Sequence, residues 1–237
     1  VLFDHSLRLS ALRLLWGGKG IVDNYQWRAH EPGRLVVCDL QEGRSRIIEM
    51  DPYFCFHTFN SFESGGELCI DMIRYPYLDL QSLKLDALKV AAPEVKSPFV
   101  RLRIELGTGK LREEILFDGA FELPQINYRD YHTKPYRYAY ALRSCHQGLL
   151  FNEVLKFDLE TGNQLSHAEP DAFLAEPVFV KRPESRIEDE GVLITVAIRG
   201  SDSPAEAILF DAQTLRELAR LPLPGPVPYG FHGAFFA

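Results

Sequence analysis

The sequence predicts an all-β fold assembled from a repeated hairpin unit. Three observations carry this. Short runs rich in Val, Ile, Leu, Phe and Tyr recur between Gly, Asp and Asn positions, the pattern of strands joined by tight turns. Helical periodicity is scarce, and only residues 78–90 (LDLQSLKLDALKV) could pass for a helix. A strand-end pattern also recurs: RIELGTGKL at 103–111, KFDLETGNQL at 156–165 and LFDAQTLREL at 209–218, with a looser copy, VVCDLQEGRS, at 36–45.

Taken in order, strands are predicted at 35–40, 46–50, 54–62, 67–75, 99–106, 113–117 and 136–143. Later strands are predicted at 149–159, 176–181, 191–199, 207–211, 218–221 and 231–236. Turn signals separate them at Glu42-Gly43, Gly65-Gly66, Thr108-Gly109, Asp118-Gly119 and Thr161-Gly162. The acid before each repeated turn is Asp39, Glu105, Asp158 or Asp211. Asp39 precedes Glu105 by 66 residues, and the next two steps are both 53. A hairpin returning every 40 to 55 residues, roughly, has the spacing of β-propeller blades. Four such repeats close as a four-bladed ring or form half of a larger one, and spacing alone leaves both open.

Composition bounds the function. The chain has 237 residues, of which 46% are hydrophobic and 25% charged, an ordinary globular balance. A net charge of −7 argues against a nucleic-acid partner, since nothing resembles a basic stripe that would neutralise phosphates. Four cysteines, Cys38, Cys55, Cys69 and Cys145, form no C-x-x-C pair, and three lie in apolar runs. They read as buried thiols of a reducing compartment, which makes a cytoplasmic location the expectation. No apolar stretch reaches the ~18–20 residues that span a bilayer, and no signal peptide is visible. The chain starts at Val1, without a methionine, directly in structured-looking sequence. A fragment lacking its N-terminal part is expected.

Polar residues keep the same register. His57, Glu122, Glu176 and His232 follow their repeat acids by 18, 17, 18 and 21 residues. Equivalent positions on successive blades face equivalent places around a propeller axis, so two imidazoles and two carboxylates are expected to converge. Imidazole suits iron, copper, zinc or nickel, and a ligating histidine normally gives its other N–H to a carboxylate. Each residue also has an ordinary reading. A histidine between Phe56 and Thr58 can be a satisfied core residue, and Glu122 and Glu176 can cap strand ends, with Pro124 and Pro177 marking turns.

Four blocks around these residues resemble one family, the carotenoid cleavage oxygenases. They are CFHTFNSFE at 55–63, FELPQINYRDYHTKPYRYAYAL at 121–142, EPVFVKRPESRIEDEGVLITVAI at 176–198 and PYGFHGAFFA at 228–237. YQWRAHEPGRLVVCDLQ at 25–41 is similar to the hairpin preceding the family's third histidine block. The resemblance implies a seven-bladed β-propeller, of which this chain covers about the last four blades as one domain part, 1–237. It also implies Fe²⁺ on the axis, held by four histidines backed by glutamates. Matched block to block, His57 and His232 are the third and fourth metal ligands, with Glu122 behind His57 and Glu176 behind His232. His5, His30, His132, His146 and His167 lie outside the motifs and read as surface or hairpin residues.

The implied reaction is dioxygenase cleavage of a C=C double bond by O₂ in an apolar polyene or stilbene, such as a carotenoid, apocarotenoid or lignostilbene. Phe54, Phe56, Phe59, Phe231 and Phe235 are candidates to line the substrate tunnel, or are plain core. With two of four histidines, the isolated chain is expected to be inactive. Any peripheral membrane contact is expected through the missing half. Two other readings stay open: an Fe(II) site using two histidines and one glutamate directly, and a non-catalytic or degenerate propeller scaffold.

Overall fold

The computed structural model describes residues 1–16, 20–78, 96–144, 151–200, 204–225, 227–228, 230 and 232–236. Strands β1 (Leu2–Asp4), β4 (Gly33–Asp39) and β5 (Arg44–Met50) form a first antiparallel sheet in the order β1-β4-β5. A small hairpin of β2 (Leu7–Leu9) and β3 (Tyr25–Trp27) brackets helix α1 (Ala11–Trp16). The second sheet is a meander of β6 (Thr58–Ser64), β7 (Glu67–Ile73), β8 (Phe99–Glu105) and β9 (Leu111–Phe117). The third repeats it with β10 (Phe121–Gln125), β11 (Tyr138–Arg143), β12 (Glu153–Asp158) and β13 (Gln164–Ala168), and the short helix α2 (Tyr128–Tyr131) follows β10. In the fourth, a broken leading strand, β14 (Phe173–Leu174) and β15 (Val178–Lys181), pairs with β16 (Gly191–Ile198). β17 (Glu206–Asp211) and β18 (Glu217–Pro222) follow.

Four-stranded meanders packed face to face are propeller blades. Among the described residues, three apolar cores fill the spaces between these four sheets. Leu35, Tyr53, Met72 and Val100 join the first to the second. Phe59, Phe99, Phe121 and Phe157 join the second to the third, with Phe59 stacked on Phe99 at 3.9 Å between centroids. Leu123, Tyr140, Leu193 and Phe210 join the third to the fourth. The all-β propeller expectation holds, as three complete blades preceded by a three-stranded one.

The repeat has a single local cause. Asp39, Glu105, Asp158 and Asp211 end the third strand of a meander, or its equivalent β4, and open the outer hairpin. Asp39, Asp158 and Asp211 cap the turn, each accepting the backbone N–H groups two and three residues on, as Asp211 does from Gln213 (3.1 Å) and Thr214 (2.9 Å). Glu105 instead accepts the Thr108 hydroxyl at 2.6 Å. Four residues after each acid the backbone is left-handed: Gly43, Gly109 and Gly162 at φ of 65°, 77° and 73°, and Leu215 at 55°. Glycine adopts this without strain. Leu215 carries the strain because its side chain is buried between the third and fourth blades.

Several expectations need correction. Residues 232–236 form no strand. The Gly233 N–H goes to the Glu176 carboxylate (2.8 Å) and not to a strand backbone. Cys55 and Cys69 are buried, but Cys38 is exposed. Leu35 and Val37 take the core face of β4, and side-chain alternation turns Cys38 to the other face. Cys145, most of the expected helix (79–90) and the start of the expected strand at 149–159 lie outside the described residues. β10 escaped prediction because Pro124 interrupts it, and β13 because its residues are mostly exposed and polar. Among the described residues, no helix is long and apolar enough to cross a membrane.

Charged clusters pin the blades together. Glu169, nearly buried after β13, accepts Arg199 (2.9 Å) and Arg220 (2.5 Å) from the fourth blade. Burial pushes the Glu169 carboxyl up, but the hydrogen bonds from Arg220 and His167 outweigh it and hold the pKa below the ordinary range. A depressed folded pKa gives stability that is present above the unfolded carboxylate pKa, about 4.3, and lost as pH falls through the folded one. Glu169→Gln should therefore lower the thermal midpoint at pH 7. The gap from wild type should narrow as pH falls below about 4, which melting curves across pH would check.

Candidate metal centre

The leading strand of each complete blade carries one extra residue near its start. In β6 the register shifts between Thr58 and Asn60, directly after His57. In β10 it shifts between Glu122 and Gln125, where Leu123 has φ of 54°. In the fourth blade, residues 175–177 bridge β14 and β15 opposite only Thr195 and Val196 of β16. Such bulges bend a strand and re-aim its side chains. Here each irregularity lies within two residues of a register residue: just after His57 and Glu122, and around Glu176. Pro124 and Pro177 were the available sequence signal, because proline in a sheet is confined to edges and bulges.

The four register residues meet as two imidazole–carboxylate couples. His57 Nδ1 lies 2.5 Å from Glu122 Oε2, and His232 Nδ1 lies 3.3 Å from Glu176 Oε1. A carboxylate can only accept, so each Nδ1 carries the proton and each Nε2 presents a lone pair. Those two Nε2 atoms face each other at 3.4 Å, with the rings edge-on at 76°. Two facing lone pairs need an electrophile between them, a proton or a metal ion. The separation is less than twice a metal–imidazole bond of about 2.1 Å, so both rings can reach one cation. The residues present fit a metal held by imidazole nitrogens, to which they would offer two donors.

Each carboxylate is already committed. Glu122, 6% exposed, accepts the Tyr75 hydroxyl at Oε1 (2.7 Å) and the Leu123 N–H at Oε2 (2.9 Å), besides His57. Glu176 accepts the Gly233 N–H as well as His232. The His57 backbone is held too, since its carbonyl accepts the Ile73 N–H (3.1 Å) and the Cys55 thiol (3.0 Å). Burial, then the Glu122 charge, pushes that thiol up to about 12, so it stays a donor. Burial opposes protonation of His57, but the hydrogen bond and charge of Glu122, with the charge of Glu176, outweigh it and raise its pKa.

Of the candidate tunnel aromatics, Phe54 and Phe56 pack edge-on near His57, with centroids 4.6 Å apart. Phe59 belongs to the core between the second and third blades, Phe235 is exposed, and Phe231 lies outside the described residues. Among the other histidines, His30 and His132 are exposed and His146 lies outside the described residues. His5 is half-buried. The Ser6 N–H bonds the Tyr53 carbonyl (3.2 Å), which holds the His5 ring against Tyr53 and Phe54 (5.2 and 4.7 Å), and burial lowers its pKa. His167, Glu169 and Glu217 form another grouping with donor atoms within 4.8 Å of one another. There, Arg199 and Arg220 already supply the positive charge, which leaves it a structural cluster.

The sequence model of the family described as "Retinal pigment epithelial membrane protein" matches residues 1–237. The chain is 26% identical to an apocarotenoid-15,15'-oxygenase of Synechocystis, over 99% of this chain and 49% of that protein. It is 30% identical to a carotenoid cleavage oxygenase of Mycobacterium tuberculosis, over 88% of this chain and 43% of that protein. The crystal structure of a cobalt-substituted Synechocystis oxygenase superposes with a TM-score of 0.86 at 26% identity, covering 98% of this chain and 50% of that one. The chain thus spans about half the length of the relatives it matches.

Proposed function

Because this chain belongs to the retinal pigment epithelial membrane protein family, the carotenoid cleavage oxygenases, we propose that the full-length protein cleaves a C=C double bond of an apolar polyene with O₂. The substrate class is carotenoid or apocarotenoid, with stilbenes the neighbouring chemistry. The C=C bond and the O–O bond are lost and two C=O groups form, so both oxygen atoms end in the two carbonyl products. One observation carries the reading: two imidazoles present their Nε2 atoms to one point, each with a glutamate at its Nδ1.

His57 and His232 would hold Fe²⁺, which supplies a redox-active centre with positions open to O₂. Glu122 and Glu176 keep the proton on each Nδ1, which fixes the tautomer and makes Nε2 a better donor. They also place negative charge near a cation whose imidazole ligands are neutral. Phe54 and Phe56 give the side beside His57 an apolar surface suited to a polyene. A two-histidine, one-carboxylate centre fits less well, since Glu122 is committed at both oxygens to Tyr75, His57 and Leu123. A non-catalytic scaffold gives these couples no task. The isolated 237-residue chain is expected to bind iron weakly and to be inactive.

The test supplies purified, iron-loaded full-length protein with carotenoids, apocarotenoids and a hydroxylated stilbene under ¹⁸O₂. Paired carbonyl products carrying label, lost after chelation and restored by Fe²⁺, are expected. Uncleaved substrate across the panel at full iron occupancy would favour the scaffold.

A further inference from the structure

We propose that Tyr75 is a positioning residue of this centre, its phenol fixing the Glu122 carboxylate and, through it, the His57 ring. The proposal rests on the reading of His57 as a metal ligand. Tyr75 lies just beyond β7 and is bound through its backbone to Phe54 in both directions, Phe54 N–H to Tyr75 O at 2.9 Å and Tyr75 N–H to Phe54 O at 2.8 Å. The segment leading into His57 is thereby tied to the strand that carries the phenol. The Tyr75 side chain is 8% exposed, and Phe56 meets its ring edge-on at 5.5 Å and 90°.

Its hydroxyl gives its proton to Glu122 Oε1 at 2.7 Å, while Oε2 accepts the His57 Nδ1–H and the Leu123 N–H. With both oxygens engaged, the carboxylate plane cannot rotate, and the direction of its pull on His57 is set. Burial and the Glu122 charge keep the phenol protonated, with a pKa well above the ordinary tyrosine value, so it remains a donor. Without the hydroxyl, Oε1 would be a buried acceptor with an empty position, and an unmet charged acceptor is costly. The carboxylate would turn or take up a proton, and His57 would lose its fixed partner. Glu176 is held differently, by a backbone N–H on the same segment as His232. The Tyr75 arrangement therefore serves His57 alone.

The test uses full-length apoprotein and cobalt(II), reading the dissociation constant by chelator competition and the ligand-field bands by visible absorption. Tyr75→Phe keeps the ring and removes the donor. It should bind cobalt roughly tenfold more weakly, the scale of one hydrogen bond to a charged group, with shifted bands. In a Glu122→Gln background the same change should cost less than about twofold, because the charged acceptor is gone. A fluorinated tyrosine at position 75 has nearly the same shape and a more acidic hydroxyl. It should move the bands opposite to phenylalanine, and it reports even if Tyr75→Phe folds poorly. Unchanged affinity and bands in Tyr75→Phe, an equal loss in the Glu122→Gln background, or an inert fluorotyrosine would each overturn the proposal. Failure of the wild-type protein to take up cobalt would instead overturn the metal reading, and this proposal with it.

Discussion

His57→Ala and His232→Ala in the full-length protein are expected to abolish polyene cleavage and to lose stoichiometric iron. Each removes a nitrogen donor that faces the shared point, and leaves a glutamate without the ring it holds. Glu122→Gln and Glu176→Gln should behave differently. At position 122 the amide oxygen can still accept from His57 and Leu123, while the amide NH₂ turns to the Tyr75 oxygen, so the geometry survives and the charge is lost. Iron should remain, with affinity or turnover down roughly 10–100-fold, the usual scale for partners behind a metal ligand. Glu122→Gln should be the more severe of the two, because Glu122 is nearly buried and lies 2.5 Å from its histidine, against 3.3 Å for Glu176. Metal analysis, turnover and X-ray absorption on the four variants would check this. An iron site that loses an oxygen ligand in either glutamine variant would favour direct carboxylate ligation. Wild-type turnover in either alanine variant would remove that histidine from the centre.

The largest effect on stability is expected from Asp71→Ala. Asp71 in β7 is fully buried and receives both arms of Arg101 from the paired position on β8, at 2.7 Å each. It also receives the Tyr136 hydroxyl from the next blade at 2.6 Å. Truncating it strands a guanidinium and a phenol in the core between two blades. Breaking a buried ion pair from one side costs about 3–5 kcal/mol. At about 2–4 °C per kcal/mol for a domain of this size, the thermal midpoint should fall by roughly 10 °C. Asp71→Leu combined with Arg101→Met should be milder than either single change, because no charge is left unpaired. Calorimetry on metal-free protein would separate this from loss of the metal. A wild-type midpoint in Asp71→Ala would mean the cluster does not hold the blades.

This clamp explains part of the block at 121–142, whose aromatic and polar residues serve blade docking as well as the centre. Tyr136 closes the Asp71 cluster. Asn127 caps α2 and donates to the Glu188 carbonyl (3.0 Å), and Glu188 in turn accepts the N–H groups of Arg137 and Tyr138 (2.8 Å each). Asn60, beside His57, holds the loop after α2 through Tyr131, Thr133 and Lys134. Sequence pattern alone assigned these residues no role, because each acts on a partner 50 or more residues away.

The sequence by itself determined whatever depends on neighbours along the chain. The strand–turn alternation, the hairpins opened by Asp39, Glu105, Asp158 and Asp211, and the left-handed residue four positions on are short-range consequences of side-chain capping and backbone sterics. Register from those hairpins also singled out His57, Glu122, Glu176 and His232, since a repeated blade carries equivalent positions to equivalent places. The tertiary structure alone decided what depends on approach between blades. It decided which glutamate oxygen meets which histidine, that Tyr75 donates to Glu122, and that an irregularity falls beside His57, Glu122 and Glu176 in the three leading strands. It also decided that the described residues 232–236 form no strand and that the Gly233 N–H bonds the Glu176 carboxylate. These outcomes are set by packing and hydrogen-bond satisfaction between segments far apart in sequence, and no local pattern encodes those distances.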